Sequence, residues 1–418
     1  MLIKMSALIK MNLAKDELIE FILFVSISYN FFLAIINSHF VKINAVTLSV
    51  VEVLLIFSSF VIMTFKIEIN KFFWIIVGLN LIICIDLLRI ILGIQLNLKF
   101  FRDVLIQFAF IGLGLSYKGS IKRFQKFIIV VSIIISAISF CEIFYTPFYE
   151  NLVNPKDYYI TTKKFNESDF WNEKSKLFVS ATRPNERFIS KYSKLPRASA
   201  IFLEPVTLGN FIILFVTLLI SFQNYISRKT FWLAITNALF LIFASDSRLT
   251  IFTVFFLIFF YSITIFLKKD LSVWILLVAT IGPILFYQLT KEYHYQDNIV
   301  GRVNYSIGVI SNLSVGSLLG FDQTMKNSYW DSGIAYMIVA NSLFYLFFNL
   351  FFYIFILKSN NLEVKIFRNI SFVAIILILI VSNSFFSIKT ASLWWFSFGI
   401  CWKLNQKENL EKNNHLCS

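Results

Sequence analysis

The 418-residue sequence is 58% hydrophobic and only 15% charged, contains 50 Phe residues and has a mean hydropathy of +0.74. Soluble globular domains carry roughly 25% charged residues, so this composition excludes a soluble domain and favours a chain embedded in a lipid bilayer. The net charge of +14 would suit a nucleic-acid-binding protein. Lys and Arg occur, however, in short clusters between apolar segments, and we therefore expect no nucleic-acid partner.

The amino-terminal segment 1–20 is basic and amphipathic, and a long apolar run without a small-residue cleavage site follows it. This pattern predicts an uncleaved membrane anchor. Further apolar segments of membrane-spanning length recur, and backbone groups in lipid must be satisfied within a helix. The sequence therefore predicts an all-α fold, with 1–418 as a single integral membrane domain. The predicted spans are 18–36, 44–65, 72–92, 101–117, 127–146, 205–226, 230–245, 248–267, 271–289, 333–357, 368–386 and 388–403.

The Lys and Arg residues in the short connections determine the predicted orientation. If the amino terminus is cytoplasmic, the cytoplasmic segments carry nineteen Lys or Arg residues and the short connections on the opposite face carry five. Basic residues are enriched on the cytoplasmic side of membrane proteins. Both termini are therefore predicted to lie in the cytoplasm.

Two connections on the outer face, 147–200 and 290–332, are much longer than the others. Long connections in a compact protein are usually functional or disordered. Aromatic residues among the charges of the first predict that part of it packs on the membrane surface, and they include Tyr158, Tyr159, Phe170 and Trp171.

The sequence contains no motif for a nucleotide, a cofactor or a metal ion. The four Cys and three His have neither disulfide nor zinc spacing, and no Gly-rich phosphate loop or HExxH motif occurs. Charged residues within predicted spans suggest a site or a pathway, and four qualify: Glu52, Asp86, Arg89 and Glu142. Asp86 and Arg89 lie three residues apart on one helix face, so a purely structural ion pair is the alternative.

Three arginines from distant stretches, Arg197, Arg248 and Arg302, are placed at the same outer face by the predicted topology. Arg binds phosphate bidentately and keeps its charge when it is desolvated. Two carboxylates, Glu204 and Asp331, are predicted at the same level. Such a set suits a lipid-linked pyrophosphate and a hydroxyl group that must lose its proton.

Each of these residues also has a simpler explanation. Glu204 precedes a proline and suits the start of a helix, and Asp331 suits a helix N-cap. The remaining alternatives are exposed charges without a role in binding: Arg197 and Arg302 as solvated cations, and Asp246 with Arg248 as a surface pair.

Three stretches resemble motifs of the bacterial O-antigen polymerase (Wzy) and O-antigen ligase superfamily. The stretch 197–209 resembles its Arg-x-x-Gly-x-Phe-x-Glu-Pro-Asn motif, with Ala200 in place of Gly and Val206 in place of Asn. The stretch 245–248 resembles its Thr-x-Ser-Arg turn. The third resembles its second-loop pattern, with Asp322 in place of the second Gly of Gly-x-Gly, and includes Arg302, Gly316, Gly320, Asp331 and Tyr336.

The resemblance implies a GT-C-like membrane glycosyltransferase of the bacterial inner membrane that acts at the periplasmic face without a metal ion or cofactor. It would transfer a growing glycan from undecaprenyl pyrophosphate to a sugar hydroxyl of the next lipid-linked repeat unit. Arg248 and Arg302 would stabilise charge on the pyrophosphate, Arg197 would position phosphate, and Asp331 or Glu204 would accept the proton.

The implied partners are lipid-linked oligosaccharides and the lipid bilayer, together with a chain-length regulator and a flippase. Asp331 stands where the ligases commonly have His, which favours a polymerase. The alternatives are an O-antigen ligase and, from another class, a flippase or secondary transporter for lipid-linked oligosaccharides. Transporters often have internal repeats and charges near the middle of the membrane, and the embedded charges keep this alternative open.

Overall fold

The structure, a computed structural model, is all-helical in the part of the chain that it describes, as the sequence predicts. The described residues are 2–64, 69–183, 195–290, 298–322 and 331–416. Parts of both long connections lie outside these residues, namely 184–194 of the first and 291–297 and 323–330 of the second.

Seventeen α-helices occur in these ranges. They are α1 Leu2–His39, α2 Ala45–Thr64, α3 Ile69–Ile91, α4 Leu98–Ser116, α5 Ile121–Phe144, α6 Thr146–Val153, α7 Pro155–Lys163, α8 Pro205–Ser221, α9 Arg228–Ser245, α10 Arg248–Leu267, α11 Ser272–Thr290, α12 Ile299–Ser311, α13 Val315–Leu318, α14 Gly333–Asn341, α15 Leu343–Phe351, α16 Leu362–Val381 and α17 Ile388–Leu416. Short 3-10 turns connect several of them, and a π-helical turn, Phe352–Ile356, extends α15.

Seven helices in the described part are long and apolar enough to cross a membrane, or eight if α14 and α15 form one span. Large apolar side chains such as Phe266, Trp274 and Leu289 are exposed on these helices, as expected where lipid replaces water. The chain is therefore a helical membrane protein. Eleven of the twelve predicted apolar segments fall mainly on one helix each, and the segment 333–357 falls on α14 and α15. The count of twelve spans and the orientation stay predictions.

The predicted single span 333–357 is wrong as a continuous helix. It bends by 113° between α14 and α15, at Ser342, whose φ of 91° lies outside the helical region. Such a break leaves carbonyl groups at the end of α14 without partners inside the helix. Arg89 on α3 provides one partner, because its Nη2 donates to the carbonyl of Ala340 over 2.8 Å.

Arg89 is 2% exposed and makes two further bonds, from Nε to the carbonyl of Gly320 (2.8 Å) and from Nη1 to Asp86 (2.7 Å). The predicted Asp86–Arg89 ion pair is therefore confirmed. A Cβ atom added at Gly320 would lie 2.8 Å from the Arg89 guanidinium, which explains why a glycine occupies that position.

The chain forms two compact units. Unit 1 comprises Met1–Ile62, Tyr117–Val254 and Ile388–Leu393, and unit 2 comprises Met63–Ser116, Phe255–Ser387 and Trp394–Ser418. The prediction of one integral membrane domain stays a prediction.

In unit 1, α5, α8 and α9 pack against one another, and α1 contacts α6 and α7 from the first long connection. Tyr158 on α7 donates to the Asn30 side chain of α1 over 2.6 Å. Tyr158, Tyr159 and Phe170 are all buried within the protein, whereas Trp171 is 60% exposed. The three buried side chains therefore pack within the protein, because α7 of this connection folds onto α1. The expectation that part of the connection packs on the membrane surface stays a prediction.

In unit 2, α11, α12 and α16 pack together, and α14 contacts α12 and α16. A close helix crossing joins α4 to α17, where a Cβ atom added at Gly399 would lie 2.8 Å from the Cα atom of Gly114. Small residues allow helices in a membrane to approach closely and gain dispersion contacts.

Candidate functional site

The first part of the candidate site is the irregular segment 197–204, which precedes α8 in unit 1. Glu142 on α5 accepts hydrogen bonds from the backbone N–H groups of Ser199 (2.8 Å) and Ala200 (2.6 Å) and from the Ser199 hydroxyl (2.6 Å). The carbonyl of Ala200 accepts from the hydroxyl of Tyr149 over 2.8 Å. Glu142, a candidate because of its charge within a span, therefore stabilises this segment.

Two residues of the segment adopt left-handed backbone angles, Ala200 with a φ of 48° and Leu203 with a φ of 62°. This conformation costs about 1–2 kcal/mol for a residue with a Cβ atom. Ala200 stands where the family motif has Gly, the residue that adopts such angles without strain. The hydrogen bonds that Glu142 accepts from Ser199 and Ala200 hold the strained turn in place.

Arg197 connects this segment to the turn between α9 and α10. Its Nε donates to the carbonyl of Ser245 (2.9 Å), and the backbone N–H of Ala198 donates to the carbonyl of Ala244 (2.8 Å). The Arg197 side chain is half-buried and is not the ordinary solvated cation of the simpler explanation.

In the turn, Asp246 caps the end of α9 with a left-handed φ of 41°, and Arg248 begins α10. Asp246 is buried and Arg248 is half-buried, so neither residue is fully exposed. That the two residues form an ion pair stays a prediction.

Gly209 explains how closely the two motif stretches approach. A Cβ atom added there would overlap Thr250 Oγ1 and would lie 3.2 Å from Ser247 Oγ. The first turn of α8 therefore lies directly against the start of α10. The structure brings together the Arg197–Gly209 stretch and the Ser245–Arg248 turn.

Glu204 is the N-cap residue of α8 and Pro205 occupies its first turn, as the simpler explanation predicts. The Glu204 side chain makes no capping bond to the backbone. Instead, Oε1 accepts from the Tyr159 hydroxyl (2.6 Å), and Oε2 accepts from Thr207 Oγ1 (2.8 Å) and lies 2.9 Å from Lys389 Nζ.

Burial raises the pKa of Glu204, but the Lys389 ammonium and the hydrogen bonds from Tyr159 and Thr207 outweigh it and hold the pKa below its ordinary value. Lys389 and Tyr159 are not predicted as site residues from the sequence. The available signal was a basic residue at the second position of the apolar helix α17.

The second part of the candidate site lies in unit 2, where Arg302 on α12 meets Asp331 just before α14. Arg302 Nη1 lies 3.5 Å from Asp331 Oδ1, and each side chain is 28% exposed. Arg302 is therefore not an ordinary solvated cation. The N-cap of α14 is Ser332, whose hydroxyl accepts from the backbone N–H of Ala335 over 3.2 Å, so the alternative that Asp331 is the N-cap is wrong.

The start of α14 is firmly packed. The hydroxyl groups of Ser306 and Ser332 lie 2.7 Å apart, and a Cβ atom added at Gly333 would lie 3.1 Å from the Leu379 Cα atom of α16. Further along α14, the Tyr336 hydroxyl donates to the buried Asp103 over 2.5 Å. Contacts with α4, α12 and α16 therefore hold the first turns of α14, which follow Asp331.

The predicted site residues are divided between the units. Arg197, Glu204 and Arg248 belong to unit 1, and Arg302 and Asp331 belong to unit 2. That all five act on one substrate stays a prediction. Among the described residues, no group of three or more His, Cys, Asp or Glu side chains could hold a metal ion.

Comparisons with known proteins add no assignment: no family model, no curated protein and no solved structure matches this chain. The function is therefore inferred from the sequence motifs, from the geometry around Arg197 and Arg248 in unit 1, and from the geometry of the Arg302–Asp331 pair in unit 2.

Proposed function

We propose that the protein is a polymerase of lipid-linked polysaccharide repeat units, an O-antigen polymerase of the bacterial inner membrane that acts at the periplasmic face. The bond between the reducing-end sugar of the growing glycan and undecaprenyl pyrophosphate breaks. The same carbon forms a bond with a hydroxyl oxygen of the next lipid-linked repeat. A carboxylate accepts the hydroxyl proton, and undecaprenyl pyrophosphate leaves. The twelve-span topology with both termini in the cytoplasm is part of this proposal.

The observation that carries the proposal is the contact between the Arg197 segment and the turn that carries Arg248. The bond from Arg197 Nε to the Ser245 carbonyl joins residues 48 positions apart. Both stretches were singled out from the sequence because they resemble motifs of one family, and their proximity supports a single built site. Guanidinium groups are suited to it, since they bind phosphate oxygens bidentately and stabilise charge on a leaving pyrophosphate.

In unit 2, the Arg302–Asp331 pair is a second set of candidate residues for this reaction. A carboxylate positioned by a neighbouring arginine can accept a proton from a sugar hydroxyl, and the arginine can also bind a phosphate oxygen. Pyrophosphate is already a competent leaving group, so the lipid-linked donor carries the energy for the transfer.

The test is to delete the gene in the source bacterium and to separate the surface polysaccharide on a gel. A polymerase deletion is expected to leave a single repeat unit attached to the lipid A core, and the wild-type gene should restore the ladder of long chains. Unattached polymer that accumulates on the lipid carrier would instead identify an O-antigen ligase. An unchanged ladder would contradict the proposal.

A flippase or transporter for lipid-linked oligosaccharides is the second candidate. The 113° break between α14 and α15 favours it, since discontinuous helices often form the substrate sites of transporters. The same deletion discriminates between the two, because loss of a flippase would leave no repeat unit on the core, not even a single one.

A further inference from the structure

Three hydrogen-bond donors from three helices of unit 1 surround the Glu204 carboxylate. Tyr159 lies on α7, Thr207 on α8 and Lys389 on α17. Tyr159 is buried, the Lys389 side chain is only 7% exposed, and the Glu204 side chain is 25% exposed. Residues 185 positions apart in the chain are thus held in one ion pair, Glu204 with Lys389.

Both carboxylate oxygens are engaged in this arrangement. Oε1 accepts from Tyr159, while Oε2 accepts from Thr207 and faces the Lys389 ammonium. A general base must offer a lone pair to the substrate proton and works best with a pKa near the operating pH. Glu204 is poorly suited to this role, because internal donors occupy three of the about four acceptor sites of its carboxylate and its pKa is lowered.

Lys389 also acts on the backbone of the irregular segment. Its Nζ donates to the carbonyl of Phe202 over 3.2 Å, in addition to its contact with Glu204. These two points flank Leu203, whose left-handed φ of 62° is strained for a residue with a Cβ atom. One ammonium group therefore fixes the end of the segment that begins with Arg197.

We propose that Glu204 is a structural anion and that Lys389 is a positioning residue which fixes the segment 197–204, so that the proton acceptor of the reaction is a group other than Glu204. This inference deepens the proposed function and rests on it. A buried ammonium needs an anionic partner, and removing one member of such a pair leaves the other as an uncompensated charge.

The test is a double-mutant cycle in the full-length protein with E204Q, K389M and the E204Q/K389M double variant. Chain extension is measured with a lipid-linked repeat unit in detergent. Each single variant is expected to lose about tenfold or more in rate, since it leaves one buried charge unpaired. The double variant should recover to within about threefold of the wild type, because both charges are gone.

The opposite role of Glu204 predicts a different pattern. If Glu204 is the base, E204Q and the double variant will be equally inactive, which would overturn the inference. The pH profile of the double variant provides a second readout, and it should match that of the wild type when a group other than Glu204 is the base. K389R should retain more activity than K389M because it keeps the positive charge. The matched control is K229M, which removes the charge of an exposed lysine on α9.

Thermal unfolding of the purified variants separates this inference from the proposed function, because it requires no glycan substrate. E204Q and K389M should each lower the unfolding temperature by several degrees, and the double variant should restore most of it. If the unfolding temperatures are simply additive, the ion pair has no structural role and the inference fails. If the cycle shows coupling but the wild type extends no glycan, the proposed function fails instead.

Discussion

The two carboxylates that the sequence places in similar positions have different surroundings in the two units. Glu204 lies 2.9 Å from a buried lysine and accepts from two hydroxyl groups. Asp331 lies 3.5 Å from Arg302, and both of these side chains are 28% exposed. The first pair joins an irregular segment to the start of α17. The second pair lies at the mouth of α14, where Ser332 already caps the helix.

The Glu204–Lys389 and Asp331–Arg302 pairs show which features separate a structural ion pair from one that can act on a substrate. Residue type does not distinguish them, because each is a carboxylate next to a cation and each precedes a helix. The burial of the cation does distinguish them, because Lys389 is 7% exposed whereas Arg302 is 28% exposed, and a buried cation depends more strongly on its anionic partner.

The largest effect is expected for D331N, which should abolish long chains and lower the rate of extension by about 10²–10⁴-fold through loss of a general base. The protein should still fold, because Ser332 caps α14 and Asn nearly matches Asp in size. The banding ladder of surface polysaccharide is the readout. The control is D322N, at a carboxylate that follows α13, and this variant should keep the ladder. A normal ladder from D331N would exclude Asp331 as the base.

Next in size is R248K, which retains the charge but loses the planar fork that binds phosphate bidentately. We expect about a 10- to 100-fold loss of chain extension, since a hydrogen bond to a charged group contributes about 1.5–3 kcal/mol. The exposed Arg228, which begins α9, supplies the matched control R228K with no expected loss. Equal activity of the two variants would remove Arg248 from the pyrophosphate site.

A smaller effect is expected for G209A, which changes the first part of the site without altering a charge. The added methyl group would overlap Thr250 Oγ1 and push α8 away from the start of α10. We expect a destabilisation of about 1–3 kcal/mol, as for other overpacked sites, measured by thermal unfolding in detergent. At Gly282 on α11 an added Cβ atom meets nothing within 4 Å, so G282A should be neutral or stabilising. Equal stability of the two variants would argue against the close approach of α8 and α10.

The smallest effect is expected for A200G, which restores the glycine of the family motif at a φ of 48°. Glycine relieves the left-handed strain in the folded state, but it loses more backbone entropy on folding than alanine does. The two effects oppose each other, so stability should rise by at most about 1 kcal/mol. Ala198, two residues earlier, is buried and has no left-handed angle, and A198G should therefore destabilise the protein. If A200G destabilises as much as A198G, the strain at residue 200 is not significant.

Much of the fold was predictable from the sequence. Apolar runs of spanning length predicted where helices form, because lipid offers no partner to a backbone group outside a helix. The predicted topology and the family resemblance indicated that Arg197, Glu204 and Arg248 lie near one another, and all three belong to unit 1. It also identified the Asp86–Arg89 pair, because residues three apart on a helix are neighbours.

Contacts between distant residues were decided only by the tertiary structure. Arg89 donates to carbonyl groups 231 and 251 residues away, and no local pattern in the sequence indicates the break at Ser342 that exposes one of them. In the sequence, Lys389 is one basic residue in a short connection, whereas in the fold its Nζ lies 2.9 Å from Glu204 Oε2. Helix formation depends on neighbouring residues, whereas the role of a charged side chain depends on which distant groups the fold brings within hydrogen-bonding distance.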